Sequence, residues 1–567
     1  MKSMRPTLYG SRHAVSAGHH LAAAAGFAVL EAGGNAIDAG CAAGIALGVL
    51  HPDEVNVAGV APIMIRTGQG KVVTIAGLGH WPKRFPADLF MREHGGKMPL
   101  GILRTVVPAA PDAWITALAD YGTMSFGDVA QAAIRYAKEG FAVFEYLAGQ
   151  IKLYEEGYRA WPSNAAIFLP GGQIPKVGDR FIQTDLAATL QYMVDEERAA
   201  AKRGRVAGLQ AARAAFYSGD IAARIADFHR QNGGYLTRED LAGFHSRYED
   251  PVRIRWRDFE VITCGPWCQG PMLAQALLMI EASGGLAGLA HNGADYIHLL
   301  TEIMKAVCSD REYRYGDPQF VDVGLDELLS PAHVRARVAA IDMQHAMPDM
   351  PPPLGRYPAN MPPAGPKGDG PIEPDTSYCC AVDRWGNAIS ATPSDGSWRS
   401  PVIPGLGIVP SARGTQSRPD PRHPSGVAPG KRPRLTPNPA MAVRLDGSVM
   451  PFGAPGGDVQ VQAMLQVFLN TFHFGMDIQE AIEQPRFATF SFPNSFAPYT
   501  HLPGRLNLED RFAGATLDEL RKRGHDVEMW AAYSRRACAV EAILLDASTG
   551  FLRAGADFRQ PAYAMVS

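Results

Sequence analysis

The chain has 567 residues, of which 46% are hydrophobic and 20% charged, and its formal net charge is −3. A chain of this size and composition can bury a large core without disulfides or metals. Its near-neutral charge offers no electrostatic footprint for nucleic acid or an anionic membrane, so we expect neither as a partner.

The cysteines and the N-terminal sequence bear on location and on metals. The seven cysteines are odd in number and scattered, which is typical of a reduced intracellular protein. Cys264 and Cys268 could bind a metal, but no second pair or nearby histidine completes a site, so we expect ordinary thiols, no metal and no cofactor. The N-terminus lacks the apolar region of a secretory signal. The most apolar stretch, residues 36–50, carries Asp38 and is shorter than the roughly 20 residues of a membrane span. A cytoplasmic protein is predicted.

The first half of the chain is predicted to be rich in helices. Residues 20–31 are rich in alanine and are followed by Gly33 and Gly34, as a helix end commonly is. Asn35 is a preferred N-cap and opens a second helix to about Leu50, which is apolar nearly all round and therefore buried. Further predicted elements are a strand over 71–76, helices over 124–141 and 186–204, a helix start capped by Thr237 with Asp240 as its partner, a strand over 253–263, and helices over 271–282 and 296–314.

A proline-rich segment over residues 346–375 interrupts this pattern. Such a segment cannot build helices or sheet ladders and is predicted to be exposed and flexible. A plain linker between two domains is its simplest interpretation. Directly after it, residues 376–382 and 388–392 are predicted strands joined by a turn, which together indicate a hairpin. A short strand over 448–451 and a helix from Gly456 to about Phe472 follow.

A linker that ends at a strand whose first residue is threonine suggests a specific chemistry. If the bond between Asp375 and Thr376 were cut, Thr376 would own a free α-amine with a pKa of roughly 7.7 to 8. That amine can take the proton of the threonine hydroxyl, so that one residue serves as nucleophile and base. No histidine or second carboxylate is then required.

Acyl transfer also needs donors for an oxyanion. Gly456 and Gly457 precede a predicted helix, where backbone N–H groups point outward and the helix dipole favours negative charge. A simple turn is the alternative interpretation of these glycines.

Many short motifs in order resemble those of the γ-glutamyltranspeptidase family, over residues 19 to 559. They are Gly33-Gly34-Asn35-Ala36-Ile37-Asp38-Ala39, Phe216-Tyr217-Ser218-Gly219, Asp240-Leu241, Asp310-Arg311, Gly316-Asp317-Pro318, Thr376-Ser377-Tyr378, Gly386-Asn387-Ala388, Pro455-Gly456-Gly457, Gln484-Pro485-Arg486-Phe487 and Gly524-His525. The chain is identified as a divergent member of this family, within the superfamily of N-terminal-nucleophile hydrolases.

The resemblance implies a fold and residue roles. The fold is α/β (α+β), a four-layer αββα sandwich. Thr376 matches the nucleophile exposed by self-cleavage, Ser394 and Ser377 keep hydroxyls that the family supplies from threonines, and Gly456 and Gly457 match the oxyanion hole. The cut would give a large subunit, residues 1–375, and a small subunit, residues 376–567, which form one folded unit as a heterodimer.

The departures from the family bear on the substrate. The family's glycine-rich run reads Asn56-Val57-Ala58-Gly59-Val60-Ala61 here, and its asparagine two residues after the Ser394 position is Gly396. Gln416 stands where the family's acidic residue holds a substrate α-amine. The arginine for the α-carboxylate is missing from its register, where Leu78-Gly79-His80-Trp81-Pro82 stand; Lys83 and Arg84 are close but displaced.

These departures predict that γ-glutamyl compounds are poor substrates. Arg399 and Arg413 add positive charge near the predicted nucleophile, which favours an acyl group with a carboxylate and no α-ammonium. Both arginines could instead be solvated loop residues. Expected partners are a small amide and water or an amine acceptor.

The leading hypothesis is a self-processing N-terminal-threonine amidohydrolase or acyltransferase, and two alternatives remain open. One is a true γ-glutamyltransferase or glutathione hydrolase with shifted binding residues. The other is an uncleaved, inactive relative that acts as a binding protein.

Overall fold

The structure, a computed structural model, describes residues 3–358, 366–368 and 375–567. The predicted linker over 346–375 therefore lies partly outside the described residues. In the described part, no helix is both long and apolar enough to cross a bilayer.

Most strands belong to two large sheets. In chain order the strands are β1 (Leu8–Gly10), β2 (Ala14–Ala17), β3 (Ile63–Arg66), β4 (Val72–Ile75), β5 (Phe141–Ala142), β6 (Arg180–Phe181), β7 (Tyr248–Glu249), β8 (Val252–Trp256), β9 (Phe259–Thr263), β10 (Cys379–Val382), β11 (Ala388–Ala391), β12 (Ala440–Arg444), β13 (Val449–Gly453), β14 (Phe487–Thr489), β15 (Arg505–Glu509), β16 (Asp526–Trp530), β17 (Glu541–Leu545), β18 (Leu552–Ala556) and β19 (Tyr563–Val566).

Helices occupy the outer layers and the connections. They are α1 (His20–Glu31), α2 (Ala36–Leu50), α3 (Leu89–His94), α4 (Ala110–Tyr121), α5 (Phe126–Glu139), α6 (Glu145–Leu153), α7 (Glu155–Arg159), α8 (Pro162–Phe168), α9 (Thr184–Ala200), α10 (Arg205–Tyr217), α11 (Asp220–Gln231), α12 (Arg238–Ala242), α13 (Gly270–Ala282), α14 (Ala294–Arg314), α15 (Leu325–Leu328), α16 (Pro331–Ala339), α17 (Gln460–Phe472), α18 (Ile478–Glu483) and α19 (Gly514–Lys522).

The two large sheets are antiparallel. The first has the strand order β1-β18-β17-β13-β12-β9-β8, and the second has the order β19-β2-β10-β11-β3-β4-β7. Strand β10 is central in the second sheet, where Cys379 lies opposite both Ala17 of β2 and Ala391 of β11. The three residues that precede β10, residues 376–378, are buried.

Three apolar interiors separate four layers. Helices α1, α2, α4 and α5 bury residues such as Leu47 against Ile389 of the second sheet. Side chains that include Tyr378 and Met441 fill the space between the two sheets. Helices α13, α14 and α17 bury Phe468 and its neighbours against the first sheet. The predicted αββα sandwich is confirmed.

Helix α2 shows how the sequence sets this packing. The Asn35 side chain accepts from the Ile37 N–H at 2.9 Å, and Asp38 accepts from the Asn35 N–H at 2.9 Å, which closes the predicted cap. A Cβ atom at Gly40 or Gly44 would come within 2.4 Å of Ile389 or Trp114, respectively. These glycines let the helix lie directly on the sheet and on α4.

Two predicted strands differ from the structure. Residues 253–263 form the β8–β9 hairpin rather than one strand, because the chain turns at Arg257, whose φ is +55°. Strand β10 begins at Cys379 and not at Thr376. All seven cysteines are buried and free.

Candidate active site

Thr376 lies three residues before β10 and is completely buried. Its φ is +151°, a backbone conformation that is sterically unfavourable for a β-branched residue. Asp395, which follows β11, has a φ of +119°. Such conformations cost about 1–3 kcal/mol each and persist where the surrounding structure enforces them. The backbone is therefore strained on both sides of this site.

The Thr376 hydroxyl is hydrogen-bonded to Ser394, with 2.7 Å between the two oxygens. The Ser394 hydroxyl also lies 3.4 Å from the Asp375 carbonyl oxygen, to which it donates. Ser394 is held by backbone bonds with Val60 in both directions, at 3.0 and 3.2 Å. The structure thus groups the threonine hydroxyl, the serine hydroxyl and the carbonyl of the predicted cut.

The carboxylate of Asp375 lies in a buried cationic pocket. Arg413 donates to its Oδ1 at 2.7 Å, and Arg399 donates to its Oδ2 at 3.2 Å. The Gly396 N–H donates to Oδ2 at 2.9 Å. Burial opposes ionisation of Asp375, but the charges of Arg413 and Arg399 and these hydrogen bonds outweigh it, so the pKa of Asp375 lies below its usual value. The pocket therefore holds a carboxylate in its charged form.

The same pocket is linked to the threonine hydroxyl. Arg413 donates to the Ser394 hydroxyl through the nitrogen that also contacts Asp375. Asp395 accepts from Ser411 at 2.5 Å and lies 3.9 Å from Arg413 Nε. Burial raises the pKa of Asp395 to about 6 against the lowering effect of Arg413, and the charge of Asp375 adds to the rise. One arginine thus contacts both the carboxylate and the serine that binds Thr376.

Gly456 and Gly457 form a turn with φ values of +109° and +60°. A Cβ at Gly456 would lie 2.2 Å from the Cys538 sulfur, so only glycine fits there. A Cβ at Gly457 would lie 3.4 Å from the ring of Phe496. That ring also faces the guanidinium groups of the two arginines, at 5.0 Å for Arg399 and 5.5 Å for Arg413. The predicted oxyanion turn and the arginine pair therefore share one aromatic neighbour.

The two glycine N–H groups are not equivalent. When the amide of Gln460 is oriented to satisfy both of its polar atoms, its oxygen accepts from the Gly457 N–H at 3.3 Å. Gly456 is therefore the better candidate for a donor toward a ligand.

Ser377 and Gln416 make their contacts elsewhere. The Ser377 N–H donates to Pro393 at 3.0 Å, while its buried hydroxyl faces Gly18 and has no hydrogen-bond partner in the described part of the chain. Gln416 is buried and donates to Thr436 at 2.9 Å. The structure brings together Asp375, Thr376, Ser394, Arg399 and Arg413, and the contacts of Ser377 and Gln416 lie outside this group.

Several buried residues near the site escaped the sequence analysis. Among the described residues, none makes a hydrogen bond to the two carboxylate oxygens of Asp53, and the backbone oxygen of Glu54 accepts from the Asp395 N–H at 2.9 Å. Tyr146 donates to the Glu54 carboxylate. In the sequence, the neighbouring residues 56–61 stood out only as a departure from the family, and no motif includes Asp53 or Glu54. Phe496 likewise lies in a loop without a recognisable motif.

One group of side chains elsewhere has the composition of a metal site. The ligand atoms of His298, Glu302 and His525 lie within 4.8 Å of one another. However, Lys305 donates to Glu302 at 2.7 Å, and His298 is hydrogen-bonded to His525 at 2.8 Å. The lysine and these bonds already engage Glu302, His298 Nδ1 and His525 Nε2, which are three of the atoms that a metal would need.

The four-layer αββα fold is that of the N-terminal-nucleophile hydrolases. A buried threonine, Thr376, lies just before one of its inner strands. The model of the γ-glutamyltranspeptidase family matches residues 22–567. The chain belongs to this family.

Relatives and solved structures extend this result. An acylase ACY 1 proenzyme of Pseudomonas sp. (strain V22) is 31% identical, and the match covers 91% of this chain and 88% of the relative. The structure of LmbA2991HD is 35% identical with a TM-score of 0.92, and all of both chains is covered. The cephalosporin acylase from Bacillus halodurans is 27% identical with a TM-score of 0.84, covering 100% of this chain and 97% of that one. Further relatives are named glutathione hydrolase proenzyme and oxamate amidohydrolase proenzyme.

Proposed function

We propose that the protein is a self-processing N-terminal-threonine amidohydrolase or acyltransferase whose acyl substrate carries a carboxylate. The observation that carries this proposal is the buried carboxylate of Asp375 on Arg399 and Arg413, beside a threonine hydroxyl bonded to Ser394. The names of the relatives, which include acylases and amide hydrolases made as proenzymes, agree with it.

The proposed maturation begins at the bond between Asp375 and Thr376. The Thr376 oxygen attacks the Asp375 carbonyl carbon, and Ser394, which donates to that carbonyl oxygen, stabilises the developing negative charge. The C–N bond then breaks, and the hydroxyl proton passes to the Thr376 nitrogen. Water hydrolyses the resulting ester and leaves Thr376 with a free α-amine. The products are a large subunit, residues 1–375, and a small subunit, residues 376–567.

In the mature protein the α-amine replaces an external base. It takes the Thr376 hydroxyl proton as the oxygen attacks a substrate amide, and it returns that proton to the leaving amine. Ser394 keeps the hydroxyl in position, and the Gly456 N–H is the proposed oxyanion donor. Water or an acceptor amine then removes the acyl group from Thr376. The cytoplasmic location stays a prediction from the sequence.

The arginine pair sets the proposed substrate class. Hydrolysis releases the Asp375 end, and Arg399 and Arg413 lose that carboxylate. Asp395 still lies 3.9 Å from Arg413 Nε, but the carboxylate that contacted both guanidinium groups is gone, so the mature pocket favours an anionic acyl group in its place. A γ-glutamyl group would bring an α-ammonium close to two guanidinium groups, which is unfavourable.

Self-cleavage is tested by Thr376→Ala. We expect this variant to remain a single full-length chain in denaturing electrophoresis, because the attacking oxygen is gone. The matched control is Thr392→Ala, which removes another buried threonine hydroxyl and should leave the two-band pattern intact. A Thr376→Ala protein that still splits at this bond would contradict the proposed mechanism.

The substrate class is tested with the matured protein. We expect glutaryl and other short dicarboxylic monoanilides to be turned over at least about tenfold more efficiently, in kcat/KM, than γ-glutamyl anilide or glutathione. The glutaryl and γ-glutamyl anilides differ only by the α-ammonium, so the comparison isolates that charge. Efficient γ-glutamyl turnover with inert des-amino analogues would restore the glutathione-hydrolase alternative.

A further inference from the structure

Asp375 occupies the cationic pocket while its own carbonyl carbon stands at the predicted point of attack. The carboxylate contacts Arg399, Arg413 and the Gly396 N–H, and the carbonyl oxygen contacts Ser394. Two carbon atoms, Cα and Cβ, separate the carbonyl carbon from the carboxylate carbon. One residue thus joins the reacting centre and the anion pocket by a spacer of known length.

The attack moves this carbonyl carbon very little. When the Thr376 oxygen bonds to it, the carbon is attached to both the nitrogen and the oxygen of the same threonine, in a five-membered ring. Loss of the nitrogen then leaves the Asp375 acyl group as an ester on Thr376. This ester has the same bond, from a carbonyl carbon to the Thr376 oxygen, as the acyl-enzyme that the proposed function requires for an external substrate.

The pocket also lies close to the nucleophile. Arg413 Nη2 contacts the Asp375 carboxylate at 2.7 Å and also contacts Ser394, whose hydroxyl is 2.7 Å from that of Thr376. Only the guanidinium nitrogen and the serine oxygen separate the carboxylate from the threonine oxygen along this path. A longer spacer would have to fold or displace Arg413, since Arg399, Arg413 and Ser394 are all fully buried.

We propose that Asp375 is a built-in stand-in for the acyl group of the substrate, and that the mature protein prefers four-carbon dicarboxylic monoamides, in which two carbons separate the scissile carbonyl from the carboxylate. This inference rests on the proposed function and adds the length of the acyl chain to it. N-succinyl amides are the simplest members of the class. Asp375 carries its chain nitrogen on the first of these carbons, so N-acylated α-aspartyl amides belong to the same class.

The test uses the matured wild-type protein and a series of monoanilides of oxalic, malonic, succinic, glutaric and adipic acids, with butyric anilide as the uncharged counterpart of the succinyl compound. We expect kcat/KM to be highest for the succinyl compound and at least about tenfold lower one methylene away in either direction. Butyric anilide should be poorer than the succinyl compound by about a hundredfold or more.

The outcomes separate this inference from the proposed function. A maximum at another length, or equal rates along the series, overturns the inference while the preference for a carboxylate stands. Butyric anilide turned over as well as the succinyl compound, or no turnover of any dicarboxylic monoanilide, overturns both.

Two precursor variants provide a second measurement. Asp375→Glu keeps the charge and adds one methylene, whereas Asp375→Asn keeps the length and removes the charge. We expect both variants to cleave themselves at least about tenfold more slowly than the wild-type precursor, as measured by denaturing electrophoresis over time. Wild-type rates in both would show that the pocket does not align the acyl group and would overturn the inference.

Discussion

At the scale of residues, the ion cluster around Asp375 decides between two interpretations of Arg399 and Arg413. Both side chains are fully buried, so the interpretation as solvated loop residues is wrong. A buried guanidinium requires an anionic partner, and Asp375 supplies one for both. The sequence could predict Thr376 as the nucleophile, because it follows the linker. It could also predict that Arg399 and Arg413 lie near Thr376, because they belong to the loop-rich stretch that follows the hairpin. It could not indicate Asp375 as their partner, because that pairing depends on how two loops fold over the end of the linker.

Asp53 is a second buried residue whose charge matters, and it was not foreseen. Burial raises the pKa of its carboxyl group to about 7 against the lowering effect of Arg535, and the charge of Asp375 adds to the rise. In the unfolded chain the same group has its ordinary pKa near 3.8. The folded protein therefore keeps a proton on Asp53 between about pH 4 and pH 7 that the unfolded chain has lost.

This difference in proton binding fixes the sign of a pH effect. Stability falls as pH rises through that window, because ionising Asp53 inside the fold costs more than in water. In a Thr376→Ala background, which keeps Asp375 in place, we expect Asp53→Asn to gain stability relative to its parent between pH 4 and pH 8. The gain should reach up to about 4 kcal/mol, since three pK units correspond to about that amount. Denaturant unfolding at the two pH values measures it, and a difference that does not change with pH would contradict the assignment.

At the scale of elements, strong local signals predicted well and turns without a signal did not. Helix α2 was predicted because Asn35 is a preferred N-cap and the following residues are apolar on nearly all sides; the structure adds Asp38 as the second half of the cap. The hairpin of β10 and β11 was predicted from Gly386 and Asn387 in its turn. The β8–β9 hairpin was missed because its turn contains Arg257 in a left-handed conformation, where the sequence offers no glycine or asparagine.

Helix α2 also yields a stability test. In isolation, Gly→Ala in a helix is favourable by up to about 1 kcal/mol. At Gly44, however, the new methyl group would lie 2.4 Å from the Trp114 ring, and we expect Gly44→Ala to destabilise the protein by about 1–3 kcal/mol. Gly149→Ala in helix α6 is the matched control, because its new methyl group would meet no atom of the described part of the chain within 4 Å, and it should be neutral or stabilising. The measurement is the change in the thermal unfolding midpoint of each variant relative to wild type. Equal changes in the two variants would show that α2 is not tightly packed at Gly44.

At the scale of the whole molecule, each large sheet contains strands from both sides of Thr376. In the second sheet β2, from the first part of the chain, lies between β19 and β10 from the last part. In the first sheet β1 and β9 flank the strands β18, β17, β13 and β12. We therefore expect the two proposed subunits to stay together after the cut. Local sequence patterns predicted a few strands, among them β4, β10 and β11. The interleaving spans hundreds of residues, and no local pattern indicates it; the resemblance to the family implied only that the two subunits form one folded unit.

Because the strands are interleaved, the ability of the protein to refold differs before and after the proposed cut. Before the cut, an unfolded chain can return to its fold in a concentration-independent step, because all strands are covalently connected. After the proposed cut, unfolding is also separation, and the return needs two different chains to meet, so recovery slows as the protein is diluted. Neither piece has a complete sheet to form alone. The uncut chain can therefore refold after unfolding, whereas the stability of the cut protein depends on how slowly its two chains separate.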